Sequence, residues 1–284
     1  MTNDARDPQV VYAGEPGAFA EDAVLAAFGD VARHALGSFR AVFDAAATDP
    51  AIEAGVIPIE NVVNGTVREN YDLLLEHELE IVGEVVVPVR LCLAALPGQG
   101  LADIERVYSH IQALGQAEAF LRTRPWTLLT TYNTAGAGKS IVERAERGAA
   151  ALLSPRAANL FGLEILAGDV QDVSDNRTRF LVVARPGRTV ALHTPAVDCR
   201  TTLALAVRNE PGTLLAALDV FARHGLNMSK LESRPSRERA WEYVFWVDLD
   251  ADATEPRTAA ALDELRRVTT MVRVLGSYPR AAGA

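Results

Sequence analysis

Asn176-Arg177-Thr178-Arg179-Phe180 sets a hydroxyl between two guanidinium groups, just ahead of an apolar stretch ending at Ala184. Guanidinium pairs bidentately with carboxylate, and a hydroxyl can donate to a departing oxygen. The set therefore suits an anionic substrate with a leaving group that needs a hydrogen bond. Pro58-Ile59-Glu60-Asn61 puts a carboxylate and an amide at a strand end, where open α/β sheets bind ligands. There Glu60 can serve as general acid or base, orient a partner hydroxyl, or merely cap a turn. Ser109-His110-Ile111-Gln112, followed by Gln116, stands where a strand gives way to a helix, with Ser109 reading as the N-cap. The spacing offers His110 no nucleophile and acid partner. Gly14-Glu15-Pro16-Gly17 either aims backbone N–H groups at an anion or forms a tight turn. Gly136-Ala137-Gly138-Lys139-Ser140 lacks the first glycine of a phosphate loop, Asn133 standing in its place, and reads as a helix opened by Thr134.

Positioning these residues calls for an α/β framework. Short apolar runs alternate with helical patterns: strand Val10–Ala13, helix Ala18–Phe28, strand 55–59, helix Val67–His77 and strand Glu80–Val89. The pattern repeats from Arg106, with a strand to Ser109, a helix through Leu121, a strand near Leu128 and a helix from Thr134. Strand Ala149–Ser154, helix Pro155–Phe161 and strand Phe180–Ala184 complete it. Two such lobes leave a cleft between them, a common place for small-molecule sites. Pro186-Gly187-Arg188 opens a linker that continues through His193-Thr194-Pro195. Strand Thr201–Val207, helix Leu214–His224, strands Met228–Arg234 and Trp241–Leu249 around Ser236–Arg239, helix Ala259–Arg267 and strand Val272–Ser277 follow. That order is βαββαβ, ferredoxin-like. Thr213 is the expected N-cap and Gly225 the stop of its first helix, and Arg280–Ala284 reads as frayed.

The 284 residues have room for both units, and 49% apolar residues supply their cores. A net charge of −9 without a basic stripe argues against nucleic acid as partner. Cys92, in an apolar run, reads as a buried thiol. With Cys199 it makes neither a metal site nor a disulfide framework. Met1–Pro8 has no apolar core of a signal peptide, and no run reaches the roughly 20 apolar residues of a membrane span, so a cytoplasmic protein is expected.

Taken in order, Gly14–Phe19, Pro58-Ile59-Glu60-Asn61 with Gly65, Tyr108-Ser109-His110 with Gln112 and Gln116, Thr134-Ala135-Gly136, Asn176 with Thr178-Arg179-Phe180, Pro211-Gly212, Asn227 and Glu232-Ser233-Arg234-Pro235 resemble the prephenate dehydratases that end in an ACT domain. The resemblance runs from about Val10 to Tyr278. It implies a two-lobed catalytic domain like the periplasmic binding proteins over residues 8–187, a linker over 188–200 and an ACT domain over 201–278. It implies loss of CO2 and hydroxide from prephenate, with feedback by L-phenylalanine. Aromatisation drives that reaction, so no metal or organic cofactor is called for. Thr178 and Glu60 are then the catalytic candidates, and Arg179, Asn61, Ser109, Gln116, Asn176 and Thr134 the substrate-binding ones, Arg179 as the anion clamp. Gly212, Thr213, Leu214, Asn227, Glu232, Ser233 and Arg234 are the regulatory candidates. A homodimer or homotetramer is expected, because ACT domains pair. The chain departs from the family pattern at Ala18, Ala20, Val62, Ile111 and Ala117, where hydroxyl residues (18, 20 and 62), Pro and Cys are usual. Arogenate dehydratase and a noncatalytic two-lobed amino-acid sensor are the alternatives.

Overall fold

The computed structural model describes residues 9–193, 196–235 and 243–281. The first lobe contains β1 (Gln9–Ala13), α1 (Phe19–Phe28), β2 (Ala32–Leu36), α2 (Phe39–Thr48), β3 (Ile52–Asn61), β4 (Gly65–Thr66), α3 (Arg68–Glu76) and β5 (Glu80–Pro88). The chain then crosses to a second lobe: β6 (Cys92–Ala95), β7 (Arg106–Ser109), α4 (Ile111–Gln116), α5 (Glu118–Leu121), β8 (Thr127–Thr130), α6 (Thr134–Arg144), β9 (Ala149–Leu153), α7 (Pro155–Leu160) and β10 (Glu164–Ala167). It returns as β11 (Arg177–Ala184), which inserts between β3 and β5. The first sheet runs β2-β1-β3-β11-β5 with β4 beside β3, and the second β10-β6-β9-β7-β8. Because β11 belongs to the first lobe but follows the second, the lobes are joined by two chain crossings. Thr178 begins where one of them ends.

The third unit is β12 (Ala196–Ala206), α8 (Thr213–Arg223), β13 (Met228–Pro235), β14 (Tyr243–Leu249), α9 (Pro256–Val268) and β15 (Met271–Ala281). Its antiparallel sheet, β13-β14-β12-β15, has the expected βαββαβ order. One face, with Leu203, Leu205, Val247 and Leu249, packs under α8 and α9. The other contributes Ala204, Trp246, Leu275 and Tyr278 to a core shared with Ile57, Tyr71, Ile81 and Leu181 of the first lobe. Gly276 of β15 lies so close to β5 that a Cβ there would stand 2.1 Å from the Ile81 carbonyl oxygen. That approach requires glycine.

The expected strands and helices are present, with instructive differences. β2, α2, β6 and β10 were not anticipated, and the helix expected through Leu121 breaks at Ala117 into α4 and α5. β12 begins at Ala196, within the segment 188–200 read as linker, and β15 carries Arg280 and Ala281 into the sheet, where fraying was expected. Thr194-Pro195, the turn Ser236–Arg239, Trp241, Met1–Pro8 and residues 282–284 lie outside the described residues. Cys92 is buried, as expected, and burial pushes its thiol pKa up to about 12. Among the described residues no helix is long and apolar enough to cross a membrane.

Candidate active site

Thr178 and Arg179 are neighbours on β11, so their side chains leave on opposite faces of the sheet. Leu181 and Val183, on Arg179's face, join the core shared with the third unit; Phe180 and Val182, on Thr178's face, pack with α1. Alternation continued from Ile57 and Ile59 would send Glu60 to Thr178's face. The register forbids it: Phe180 pairs with Pro58 and Arg179 with Glu60, leaving Ile59 as the extra residue of a β-bulge. Asn61 therefore stands opposite Thr178, and Glu60 opposite Arg179.

Asn61 holds the hydroxyl. Its Nδ2 donates to Thr178 Oγ1 at 2.9 Å, Asn176 Oδ1 at 2.8 Å and the Arg177 carbonyl at 3.0 Å. Its Oδ1 accepts the N–H groups of Val63 (3.0 Å) and Asn64 (2.9 Å), which fixes the amide orientation. The Thr178 oxygen is thus an acceptor toward Asn61, so its hydrogen must point elsewhere. Among the described residues no acceptor meets it. Thr178 and Asn176 are 8% and 2% exposed, and Asn176 Nδ2 has no partner. The trio sits at the lobe crossing, where Val89 N–H bonds the Asn176 carbonyl and Asp172 N–H bonds the Gln116 carbonyl. Among the described residues no group bonds the Gln116 carboxamide or the Thr134 hydroxyl at the start of α6, which leaves both free for a ligand.

Other expectations need revision. Arg179 is turned away from Thr178: it donates to Glu84 (3.2 Å) and to Asp248 of the third unit (2.8 Å), lying 3.6 Å from Glu60. Burial works against its charge, but Asp248 and its other acidic surroundings outweigh that and raise its pKa. Glu60 faces the same way, 2.8 Å from Lys230. Neither can clamp or protonate a substrate beside Thr178. Ser109 is fully buried and spends its hydroxyl hydrogen on the Leu152 carbonyl at 2.6 Å. The N-cap of α4 is His110, whose Nδ1 accepts the Gln112 N–H, and burial lowers its pKa toward the neutral ring. α6 does open at Thr134, as expected, with Asn133 as its cap. The Gly14–Gly17 loop serves an internal anion, since Gly17 N–H donates to Glu21 at 2.6 Å.

That loop also ties the lobes together. Glu15 bonds Lys139 at 2.9 Å and the Tyr132 hydroxyl at 3.0 Å, both from the second lobe. Arg156 of α7 pairs with Glu21 and Asp22 of α1. Sequence reasoning missed these partners, as it missed Glu84 and Asp248. Single carboxylates inside apolar strands were the available signal, because a buried charge demands a partner. Pro58 was the signal for the bulge, since it has no N–H for a ladder.

In the third unit Gly212 (φ 85°) is the N-cap of α8; the Thr213 hydroxyl turns back to the Arg208 and Glu210 carbonyls. Leu214 packs at the edge of the sheet–helix core, and Asn227 donates to Asp250 at 2.7 Å. Glu232 and Arg234 point at the first lobe, toward Thr66 (2.5 Å) and the Arg68 carbonyl (2.7 Å), whereas Ser233 is exposed.

Comparison with known proteins gives this arrangement a family. The prephenate dehydratase model matches residues 10–188 and the ACT domain model residues 201–267. A bifunctional chorismate mutase/prephenate dehydratase of Aquifex aeolicus is 38% identical, over 96% of this chain and 74% of its own. Arogenate dehydratase 2 of Petunia hybrida is 37% identical, over 100% and 74%. Among solved structures, prephenate dehydratase of Arthrobacter aurescens in complex with L-Phe superposes with a TM-score of 0.85 at 32% identity, covering 96% of this chain and 90% of that one. GqqA, described as a quorum quenching acylase, gives 0.86 at 32% identity, covering 96% and 98%. With the matching model spanning the two lobes that meet at Asn61 and Thr178, the chain belongs to the prephenate dehydratase family and carries an ACT domain at its C-terminal side.

Proposed function

We propose that the chain converts prephenate to phenylpyruvate, CO2 and water as a carbon–oxygen lyase of the cytoplasm, with Thr178 as the hydrogen-bond donor to the leaving hydroxyl. The ring carboxylate departs as CO2, its bonding electrons enter the ring, and the C–O bond opposite breaks to release hydroxide. A threonine hydroxyl is too weak an acid to protonate that oxygen early, so its part is stabilisation, with the proton arriving late or through water. The Asn61 bond to Thr178 carries this assignment, because it leaves the hydroxyl hydrogen unspent. With Arg179 facing the ACT domain, substrate carboxylates fall to the N-terminus of α6 with Thr134 and to the Gln116 carboxamide. Asn176, buried between Asn61 and the lobe crossing, positions the donor.

Acyl transfer, which the likeness to GqqA invites, needs an activated nucleophile. The serine beside His110 has its hydroxyl turned into the Leu152 carbonyl. Arogenate is the closer rival, since it differs from prephenate by an amine in the side chain and the Petunia relative is named for it.

L-Phenylalanine is the proposed feedback inhibitor, received at the N-terminus of α8 around Gly212, Thr213, Leu214 and Asn227. Glu232 and Arg234 link that unit to the first lobe, and Ser233 lies on the open side of the edge strand. A dimer or tetramer through the ACT domains accounts for exposed Leu215 (71%) and Leu231 (45%). Product formation from prephenate and from arogenate, each with and without phenylalanine, tests the assignment. Phenylpyruvate formation suppressed by phenylalanine is expected. Turnover of arogenate alone would move the substrate, and no turnover of either would refute the enzyme.

A further inference from the structure

Behind the Asn61–Thr178 pair, the ACT domain grips the two residues that alternate with it. Glu60, next to Asn61, is held by Lys230 of β13 at 2.8 Å. Arg179, next to Thr178, is held by Asp248 of β14 at 2.8 Å. The grip is anchored deeper by Glu84 of β5, a fully buried carboxylate. Glu84 accepts from Arg179 at 3.2 Å, from Arg200 of β12 at 2.8 Å and from the Ala281 N–H of β15 at 3.1 Å. Asp248 is fixed in turn by the Thr202 hydroxyl at 2.7 Å. Glu60, Glu84 and Asp248, with Glu232 3.6 Å from Lys230, thus face Arg179, Arg200 and Lys230 across the domain boundary, a network in which a buried charge cannot be dropped cheaply.

The set also has room for a second arrangement. Arg179 Nη2 lies 2.8 Å from Asp248 and 3.6 Å from Glu60, so one guanidinium sits between an ACT carboxylate and a catalytic-domain carboxylate. A cavity of about 240 Å³ lies against the same side chains, Glu60, Arg179, Arg200, Lys230 and Asp248. A small rotation of the ACT sheet would take Arg179 from Asp248 to Glu60, the kind of exchange by which interfaces with two discrete pairings switch. The bulge at Ile59 sets Glu60 on the back of the sheet and its neighbour Asn61 on the front, so the two share one stretch of backbone through which a displacement can pass.

We propose that Lys230 and Asp248 are positioning residues for catalysis: by holding Glu60 and Arg179 from behind, they set the Asn61–Thr178 hydrogen bond in front. Resting on the dehydratase assignment, this also gives the route by which an effector bound to the ACT domain reaches the reaction, since an effector that shifts β13 and β14 shifts the grip.

The test uses the full chain with Asp248→Asn and Lys230→Met, each removing a charge at little change of volume, and Lys230→Arg as the conservative control. Two readouts are taken, kinetics on prephenate and amide hydrogen exchange. In both charge-removing variants kcat is expected to fall about tenfold while KM stays within about twofold. Exchange of peptides covering 59–66 and 176–180 is expected to quicken about threefold or more, with 149–153 in the second lobe unchanged. Lys230→Arg restores both. Should Asp248→Asn fail to fold, Lys230→Met at the less buried position decides alone. Unaltered exchange at 59–66 and unaltered kcat, even with a lower melting temperature, would overturn the proposal and reduce the cluster to a structural tie. Exchange is read without turnover, so wild-type inactivity on prephenate and arogenate would defeat the dehydratase assignment while the exchange result still judged the positioning.

Discussion

The Thr178 hydroxyl is held by an amide. Asn61 commits its oxygen to two backbone N–H groups and its nitrogen to the hydroxyl, so the Thr178 hydrogen is the one left to give. Residue types offered Thr178 and Asn61 as separate candidates, and only the register shows that they bond each other. Residue types misplaced Glu60 and Arg179, because which face a strand residue takes depends on one extra residue at Ile59. With Glu60 on the far face, its ionisation takes no part in proton transfer. Glu60→Gln is therefore expected to leave the shape of log kcat against pH unchanged between about pH 6 and 9. A limb present in the wild type and missing in that variant would return Glu60 to the chemistry. His110, held toward its neutral form by burial, adds no cation to the site near neutral pH.

The elements show where sequence patterns carry information and where they lose it. Strongly periodic helices such as α3, α8 and α9 were legible to within a few residues. β2 is half exposed along its length, β6 is buried on both faces and β10 largely exposed, so none shows a clean two-residue alternation. Contacts between elements were invisible, above all the ties that bind α1 to α7. Glu21 of α1 accepts from Gly17 N–H (2.6 Å), Arg33 (2.6 Å) and Arg156 (2.6 Å) at 6% exposure. Desolvation pushes its pKa up, but these bonds outweigh it and hold the carboxyl below the usual glutamate range. The folded state therefore binds fewer protons there than the unfolded chain, so this stabilisation is full above about pH 5 and drains as pH falls through the lowered pKa. Glu21→Gln is expected to cost about 2–3 kcal/mol at neutral pH, below the full value of a buried pair because both arginines are partly solvated. The difference from the wild type narrows in acid, as denaturant melts at pH 7 and pH 4 would report; an equal deficit at both would contradict it.

On the scale of the molecule, one sheet serves two masters. Its front holds Asn61 and Thr178 at the junction of two lobes, and its back is the bed on which the ACT sheet lies, close enough at Gly276 to exclude a side chain. Domain order and the βαββαβ grammar could be read from the chain. That the ACT domain seats directly behind the catalytic strand could not, because polar residues in a strand do not announce which unit they will pair with. On the proposed function, the arrangement gives regulation a short path and gives catalysis a rigid donor. The rate of phenylpyruvate formation from prephenate by Thr178→Ala beside the wild type tests this most directly. Loss of one preorganised donor predicts a kcat lower by about 10²–10³, with KM within a few-fold and Thr178→Ser recovering most of the rate. A Thr178→Ala enzyme that turns over prephenate at the wild-type rate would mean that the hydroxyl Asn61 holds is not the donor.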